Sequence, residues 1–400
     1  MNIELRKRVF SSIDRFVNWL DGYGETSYDY QSFYAGPLGR KAKATYYRRP
    51  LFGTLFVAPL VFFETFLPST RRFFCHRQRF PIADAHYAMG FAYLNKWTGK
   101  AEHLHKAFQY LEVLRATRCP GYSHYCWGYP FEWITRDGPV PANTPLITTT
   151  PYAYEAFCEV YRQDRNDKWL EIMRSIAEHA CRDITDLEVS SNSSSCSYTP
   201  HGGFGVVNSN AYRAFLLTSA FIKFQEEKYL KIAERNLNFV LESQYPDGSW
   251  PYAVDGKRNF IDHFHTCFVL KALVKIEHLT GRKNCREAIE KGIKFYIDNL
   301  LDEHGRPKPF YKAPRLTVYS HELYDYAECI NLCVLSKNSF LNTDNILNAV
   351  LEDLLERWQK PDGSFRSRKL FFGWDNVPMH RWAQSQIFRS LCYLLVENKN

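Results

Sequence analysis

The chain of 400 residues predicts an all-α fold, a closed (α/α)6 toroid of six helical hairpins. Three observations lead there. From residue 84 onward, helix-length apolar patterns recur in pairs at roughly 60-residue intervals, a spacing natural for hairpins with extended connections. Within most pairs the joining turn is short and polar, as at Lys100 to Glu102, Gln163 to Asp167, Gln225 to Lys228 and Gly281 to Asn284, whereas the connections between pairs are long. The last helix, Ala383 to Val396, has no partner beside it, and an N-terminal helix at 8–23 is available to complete its pair and close the ring. The chain 1–400 then reads as a single toroid domain, with 25–80 an irregular basic and apolar insertion.

The elements follow in order. In 8–23, Val9, Phe10, Ile13, Phe16, Val17 and Leu20 fall at helical spacing, and Gly22 and Gly24 end the run. The tyrosine-rich basic stretch after it, through Tyr46, Tyr47 and Arg49, carries no periodicity that assigns an element. Residues 51–67 are the most apolar run, flanked by Arg48 and Arg49 before it and Arg71 and Arg72 after it. The run is short for a span and contains Gly53, Pro59 and Glu64, so it predicts a packed segment or an interfacial anchor, which makes 51–67 the place for a peripheral membrane or protein partner. The hairpins are then 85–94 with 103–114, 152–161 with 168–180, 211–224 with 229–242, 266–278 with 285–300, and 326–335 with 344–358. In the third, Phe215, Leu216, Ala220, Phe221 and Phe224 mark one apolar face.

Composition narrows the partners. A net charge of +8 and pI near 8.8 suit an anionic partner. No basic run interleaves with aromatics on a nucleic-acid module, so an acidic glycan is expected and nucleic acid is not. Eleven cysteines, an odd number without a regular framework, suit free thiols in a reducing compartment. With an N-terminus that opens an amphipathic helix and lacks an apolar h-region, this predicts a cytoplasmic protein, free or associated with the membrane surface.

The stretch from Gln244 to His265 organises the chemistry. A helix ends at Gln244, Pro246-Asp247-Gly248 turns the chain, and Asp262, His263 and His265 stand just before the next helix. A second copy, Gln359 to Trp382, again sets Asp375, His380 and Arg381 before a helix. Because every long connection must lie at one end of the ring, function concentrates on one mouth. The loops bring there Trp127 and Trp133; His201, Asn208 and Asn210; Trp250, Tyr252, Asp262, His263 and His265; Tyr319, His321, Glu322, Tyr324 and Asp325; and Trp374, Asp375, His380 and Arg381. Aromatic faces beside carboxylates, imidazoles and amides are what a sugar site uses. Each also has a bland reading: Gln244, Asp247, Gly248 and Trp250 as a turn pinning a helix end, Asp262 as an N-cap, and Trp127 and Trp133 as wall packing. No metal motif occurs, and His201-Gly202-Gly203-Phe204-Gly205 follows no strand, so neither a metal nor a nucleotide cofactor is expected.

Two sets of residues resemble known families. Gln244-x3-Gly248-x-Trp250 and Gln359-x3-Gly363-x-Phe365 resemble the Gln-Trp repeat of squalene and terpenoid cyclases, which are α/α toroids. The cyclases' acidic catalytic run has no counterpart, Tyr324-Asp325-Tyr326-Ala327-Glu328 being spaced differently. Over 80–395, Trp127-Gly128-Tyr129-Pro130-Phe131-Glu132-Trp133, the Asp-Gly-Ser-Trp-Pro-Tyr turn and Asp262-His263-Phe264-His265-Thr266 resemble six-hairpin-glycosidase-type proteins encoded with bacterial polysaccharide biosynthesis genes. That superfamily contains glycoside hydrolases, polysaccharide lyases and glucuronyl C5-epimerases, so the resemblance implies the toroid and a glycan substrate.

Three chemistries and a non-catalytic role are open on the residues. Hydrolysis needs two carboxylates across the cleft, and Asp262, Glu322, Asp325 and Asp375 are candidates. Lyase or C5-epimerase chemistry on a uronate needs a base and an acid about a C–H bond. For these His263, His265, His321, Tyr319 and Tyr324 are available, with Arg381, Asn208 and Asn210 to hold the carboxylate. The abundance of Tyr and His with the positive charge favours the uronate reaction. The non-enzymatic alternative is a glycan-binding or scaffold subunit of a synthesis complex.

Overall fold

The computed structural model describes residues 1–314, 317–337 and 343–398. Helix α1 (Ile3–Tyr23) starts earlier than its apolar pattern suggests because Asn2 caps it, accepting the Leu5 N–H at 2.7 Å. The unassigned stretch after it is helical: α2 (Ser32–Ala35), α3 (Pro37–Arg48) and α4 (Pro50–Phe66), then a 3₁₀ turn at Pro68–Phe73. Five hairpins follow. They are α5 (Pro81–Thr98) with α6 (Ala101–Ala116), α7 (Thr150–Asp164) with α8 (Asp167–Arg182), α9 (Val207–Phe224) with α10 (Glu227–Glu242), α11 (His263–Thr280) with α12 (Lys283–Leu300), and α13 (Leu323–Ser336) with α14 (Asp344–Asp353). A wide turn at His380–Gln384 leads into α15 (Ser385–Glu397), which packs on α1.

Sequence decides which helix of each pair is inside. In α9 every residue from Val207 to Thr218 is buried, Asn208, Ser209, Asn210 and Arg213 included, whereas α10 buries a stripe of Tyr229, Ala233, Asn236, Leu237, Phe239 and Val240. A helix enclosed on all sides belongs to the inner wall, and a one-striped helix belongs to the outer one. The inner helices α5, α7, α9, α11, α13 and α15 each touch the next, and α15 touches α5, so the inner ring closes. This is the (α/α)6 toroid that the pairing predicts.

The long connections bond to one another around a single rim. The Ile147 N–H donates to the Tyr198 carbonyl (3.1 Å), Val207 to Tyr252 (3.0 Å), His263 to Pro309 (3.1 Å) and Leu323 to Ser367 (3.0 Å). The circle is completed by the His380 N–H on Ser27 Oγ (2.9 Å) and by Arg40 on Glu132 (3.0 Å). Short antiparallel strands stiffen the rim: β1 (Trp133–Thr135) with β2 (Gly138–Val140), β3 (Asp186–Glu188) with β4 (Ser194–Cys196), β5 (Ile261–Asp262) with β6 (Phe310–Lys312), and β7 (Tyr319–Glu322), β8 (Arg368–Leu370) and β9 (Trp374–Asp375) together. The segment α2–α4 therefore sits over the mouth. Arg71 of the 3₁₀ turn binds Asp375 (2.8 Å) and Glu64 of α4 binds Arg368 (2.9 Å).

Helix α4 turns one side outward. Leu51, Phe52, Leu55, Phe56, Phe62 and Phe66 are exposed, Leu51 to 94%, while Gly53 and Leu60 pack inward. Phe372, itself exposed, extends this surface against Phe66 at 5.7 Å between ring centroids. Among the described residues no helix is long and apolar enough to cross a membrane. All eleven cysteines are unbonded.

Candidate functional site

At the start of α11 one carboxylate makes two bonds. Asp262 ends β5 and caps the helix, one oxygen accepting the His265 N–H (3.0 Å) while the other meets His265 Nδ1 at 2.6 Å. A carboxylate accepts only, so it fixes the Nδ1–H tautomer and leaves the Nε2 lone pair available. Among the described residues no protein group bonds to that nitrogen. The ring is held edge-on by Tyr252, 4.6 Å away, which itself stacks on Phe260.

His265 lines a small cavity of about 50 Å³ at the mouth, with Tyr129, Tyr198, Asn208, Tyr324, Arg381 and Trp382 around it. Burial pushes the Tyr198 and Tyr324 hydroxyls well above the usual phenol range and the Tyr252 hydroxyl up to about 12. At neutral pH they are therefore neutral hydroxyls that can donate hydrogen bonds. The Arg381 guanidinium lies 4.1 Å from the Tyr129 ring centre and 4.4 Å from that of Trp382. Its Nε and one terminal nitrogen donate to Asp29 at 2.7 and 2.5 Å, the guanidinium also lies within reach of the Tyr129 hydroxyl, and among the described residues Asn208 Oδ1 is buried without a partner. The cavity thus holds one free imidazole nitrogen, several neutral phenols, a fixed cation and an unfilled amide acceptor.

The other candidate carboxylates are engaged elsewhere. Glu322 receives Arg368 at 3.2 Å, and that guanidinium also stacks over Tyr30 at 3.2 Å and over Tyr319 at 4.3 Å. Asp375 is taken by Arg71. Asp325, fully buried, sits 3.3 Å from His263 Nδ1, whose Nε2 meets the Tyr296 hydroxyl at 2.8 Å. Burial pushes the Asp325 carboxyl up to about 7, against the pull of His263.

Several residues expected at the mouth stand apart from its cavity. The Trp127 and Trp250 indoles are buried in the wall, donating to the Leu114 (2.8 Å) and Val240 (2.9 Å) carbonyls. Asn210 accepts the Cys196 N–H at 2.7 Å and ties β4 to α9. His380 is enclosed between Tyr87 and the Gly24 carbonyl. His321 turns to Asp302 at 3.7 Å, His201 is exposed on its loop, Trp133 packs against Tyr129, and Trp374 packs against Trp358. Indoles with a carbonyl in reach satisfy their one donor inside, so size and donor together draw them into the wall. The residues that converge are Asn208, Tyr252, Asp262, His265, Tyr324 and Arg381. Of the others, Tyr129 and Tyr198 lie on loops assigned to the mouth, whereas Asp29 and Tyr30 come from the unassigned stretch, Arg71 from the basic flank after 51–67, and Arg368 shows only as one basic residue among several.

No protein-family model and no curated protein matches the sequence. Solved structures do. A cellobiose 2-epimerase from Bacillus thermoamylovorans superposes with a TM-score of 0.63 at 9% identity, over 80% of this chain and 89% of its own. An inactive variant of an α-1,6-mannanase of Salegentibacter sp., in complex with α-1,6-mannotetrose, does so with a TM-score of 0.59 at 14% identity, over 81% and 91%. A polysaccharide lyase gives a TM-score of 0.56 at 12% identity, over 78% and 89%. The neighbours are six-hairpin (α/α)6 toroids. At these identities the likeness establishes the fold, and chemistry has to be argued from the site.

Proposed function

We propose that the protein is a carbohydrate-active enzyme that moves a proton on an acidic, uronate-containing glycan, as a lyase or C5-epimerase does. The observation that carries this reading is His265, which lines the cavity with its Nδ1 held by Asp262 and, among the described residues, no protein group bonded to its Nε2. Nε2 takes the proton from C5, and the C–H electron pair moves into the adjacent carboxylate, whose growing charge Arg381 and the phenols of Tyr198 and Tyr324 stabilise. Return of a proton to the opposite face inverts C5. Departure of the C4 oxygen, with a proton from a phenol, leaves a C4=C5 double bond instead. Positioned bases of this kind contribute about 10²–10⁴-fold to rate. Hydrolysis is disfavoured because Asp262, Glu322, Asp325 and Asp375 each already face a cation or imidazole, leaving no opposed pair of free carboxyls among them. A sugar ring does not fit in about 50 Å³, so substrate entry requires the connection between α1 and α2, which supplies Asp29 to Arg381, to move.

The test is incubation with uronic-acid polymers while following absorbance of an unsaturated product, reducing ends, and solvent deuterium at C5. Unsaturation or deuterium uptake is expected, lost at least about 100-fold in His265→Gln with unchanged thermal stability. Reducing ends alone would instead make it a hydrolase. Silence in all three with retained glycan binding would make it a scaffold subunit.

The outward side of α4 supports a peripheral location as well. Its apolar row is bracketed by exposed Arg48, Arg49 and Arg72, the arrangement that suits an anionic bilayer surface.

A further inference from the structure

The opposite end of the ring, where the short turns join the helices, holds a far larger cavity of about 590 Å³. That lies within the range of ligand pockets, about 300–1,000 Å³. Its lining carries seven cations and three carboxylates, with Glu328 behind them a fourth. Part of this excess has a local cause. Lys96, Arg162 and Lys223 stand in the last turns of α5, α7 and α9, where cations complement the helix carbonyl ends, and the first two share Glu159.

Arg389 has no such cause. It lies in the middle of α15, only 5% exposed, and lines the cavity floor. Among the described residues its guanidinium makes no hydrogen bond: Nε is buried without a partner, and Glu328, its ion-pair neighbour, stays 3.9 Å away, bound to Lys271. Arginine cannot shed its charge, and a buried guanidinium without an acceptor is uncommon. Beside it, Lys275 is paired with Glu155. Burial, opposed by Glu328 and aided by the Arg389 and Lys275 charges, pushes the Lys271 ammonium down to about 8. Tyr93, Tyr154, Tyr161 and Tyr393 supply flat walls above it.

We infer that this cavity is a second binding site, separate from the mouth, for a small organic anion whose phosphate or carboxylate is held by Arg389 while its ring-sized body lies against the tyrosines. The site is independent of the chemistry proposed at His265. Calorimetric titration of the full chain with inorganic phosphate, glucose 6-phosphate and citrate tests it and separates phosphate from carboxylate. At least one probe should bind, at least about tenfold more weakly in Arg389→Gln, as loss of a charge-assisted bond requires, and with unchanged affinity in His265→Gln. The double variant Arg165→Glu, Lys223→Glu alters only exposed side chains at the entrance, so it folds even where Arg389→Gln does not, and should weaken binding several-fold. Failure of all three probes to bind the unaltered protein, or equal affinity in both cavity variants, overturns the inference.

Discussion

His380 shows what enclosure does to one titratable side chain. Its Nε2 meets the Gly24 carbonyl at 2.9 Å, which fixes that nitrogen as the donor, so Nδ1 accepts the Tyr87 hydroxyl at 2.5 Å. Both nitrogens are satisfied in the neutral ring. Burial, with Arg77 and Arg79 nearby, pushes its pKa down to about 3 from 6.5. Between those values the unfolded chain binds the extra proton, so this group withdraws stability as pH falls from 6.5 toward 3 and is without effect above it. The unaltered protein should therefore lose more stability between pH 6.5 and 4.5 than His380→Asn does, by about 1–2 kcal/mol in urea unfolding. Parallel losses would mean that the imidazole protonates freely in the fold. The sequence marks His380 and His265 alike, each in a loop before an inner helix beside an aromatic. What separates them is a partner from α5 and from the α1 end, more than 290 residues away in His380's case, and no local pattern encodes such a contact. Asp262 and His265, by contrast, are three residues apart at a helix start; the cap was legible there, and the structure adds its bond to the imidazole.

Elements were legible where one face decides them. The α9 and α10 patterns and the short turns between helices are read from local periodicity and appear as helices and turns in the structure, although α9, expected to bury one apolar face, is buried all round from Val207 to Thr218. Helix α4 shows the converse, because nearly every residue in it is apolar and periodicity cannot say which side is buried. Gly53 resolves this: a side chain there would stand 2.2 Å from the Tyr46 backbone, so α3 packs on that side and leaves Leu51, Leu55, Phe62 and Phe66 outward. An outward apolar row between arginines is expected to carry the protein onto anionic vesicles and not onto zwitterionic ones, with binding lost at high salt. Leu51→Ser, Leu55→Ser together should reduce co-sedimentation at least about fivefold, each leucine contributing on the order of 1 kcal/mol or more through buried area, with thermal stability unchanged because both side chains are already exposed. Equal sedimentation of the double variant would assign the surface to a protein partner instead.

At the scale of the molecule, the two Gln-Asp-Gly turns do the same work at two places on the outer wall. Gln244 Nε2 donates to the Gly248 carbonyl (3.0 Å) and across to the Ala288 carbonyl of α12 (2.9 Å). Gln359 Nε2 donates to Gly363 (3.0 Å) and across to the Ser12 carbonyl of α1 (2.9 Å). The first turn joins neighbouring hairpins in chain order, while the second joins the last full hairpin to the N-terminal helix, so it is the seam of the ring. Gly248 and Gly363 have φ of +93° and +94°, and a Cβ on them would stand 2.4 Å from the Lys291 carbonyl oxygen and 2.3 Å from that of Arg15. Alanine at Gly363 must therefore push α1 outward as well as strain its own backbone. Strain alone costs about 1 kcal/mol; a displaced seam exposes part of the wall that Val9, Ile13 and Phe16 bury and should bring the loss to about 3 kcal/mol or more. Gly363→Ala is expected to match Gly248→Ala in urea unfolding although its partner lies almost a whole chain length away. A loss near 1 kcal/mol, with α1 becoming accessible to protease, would mean that the N-terminal helix is only loosely held and that the six-hairpin ring closes without it.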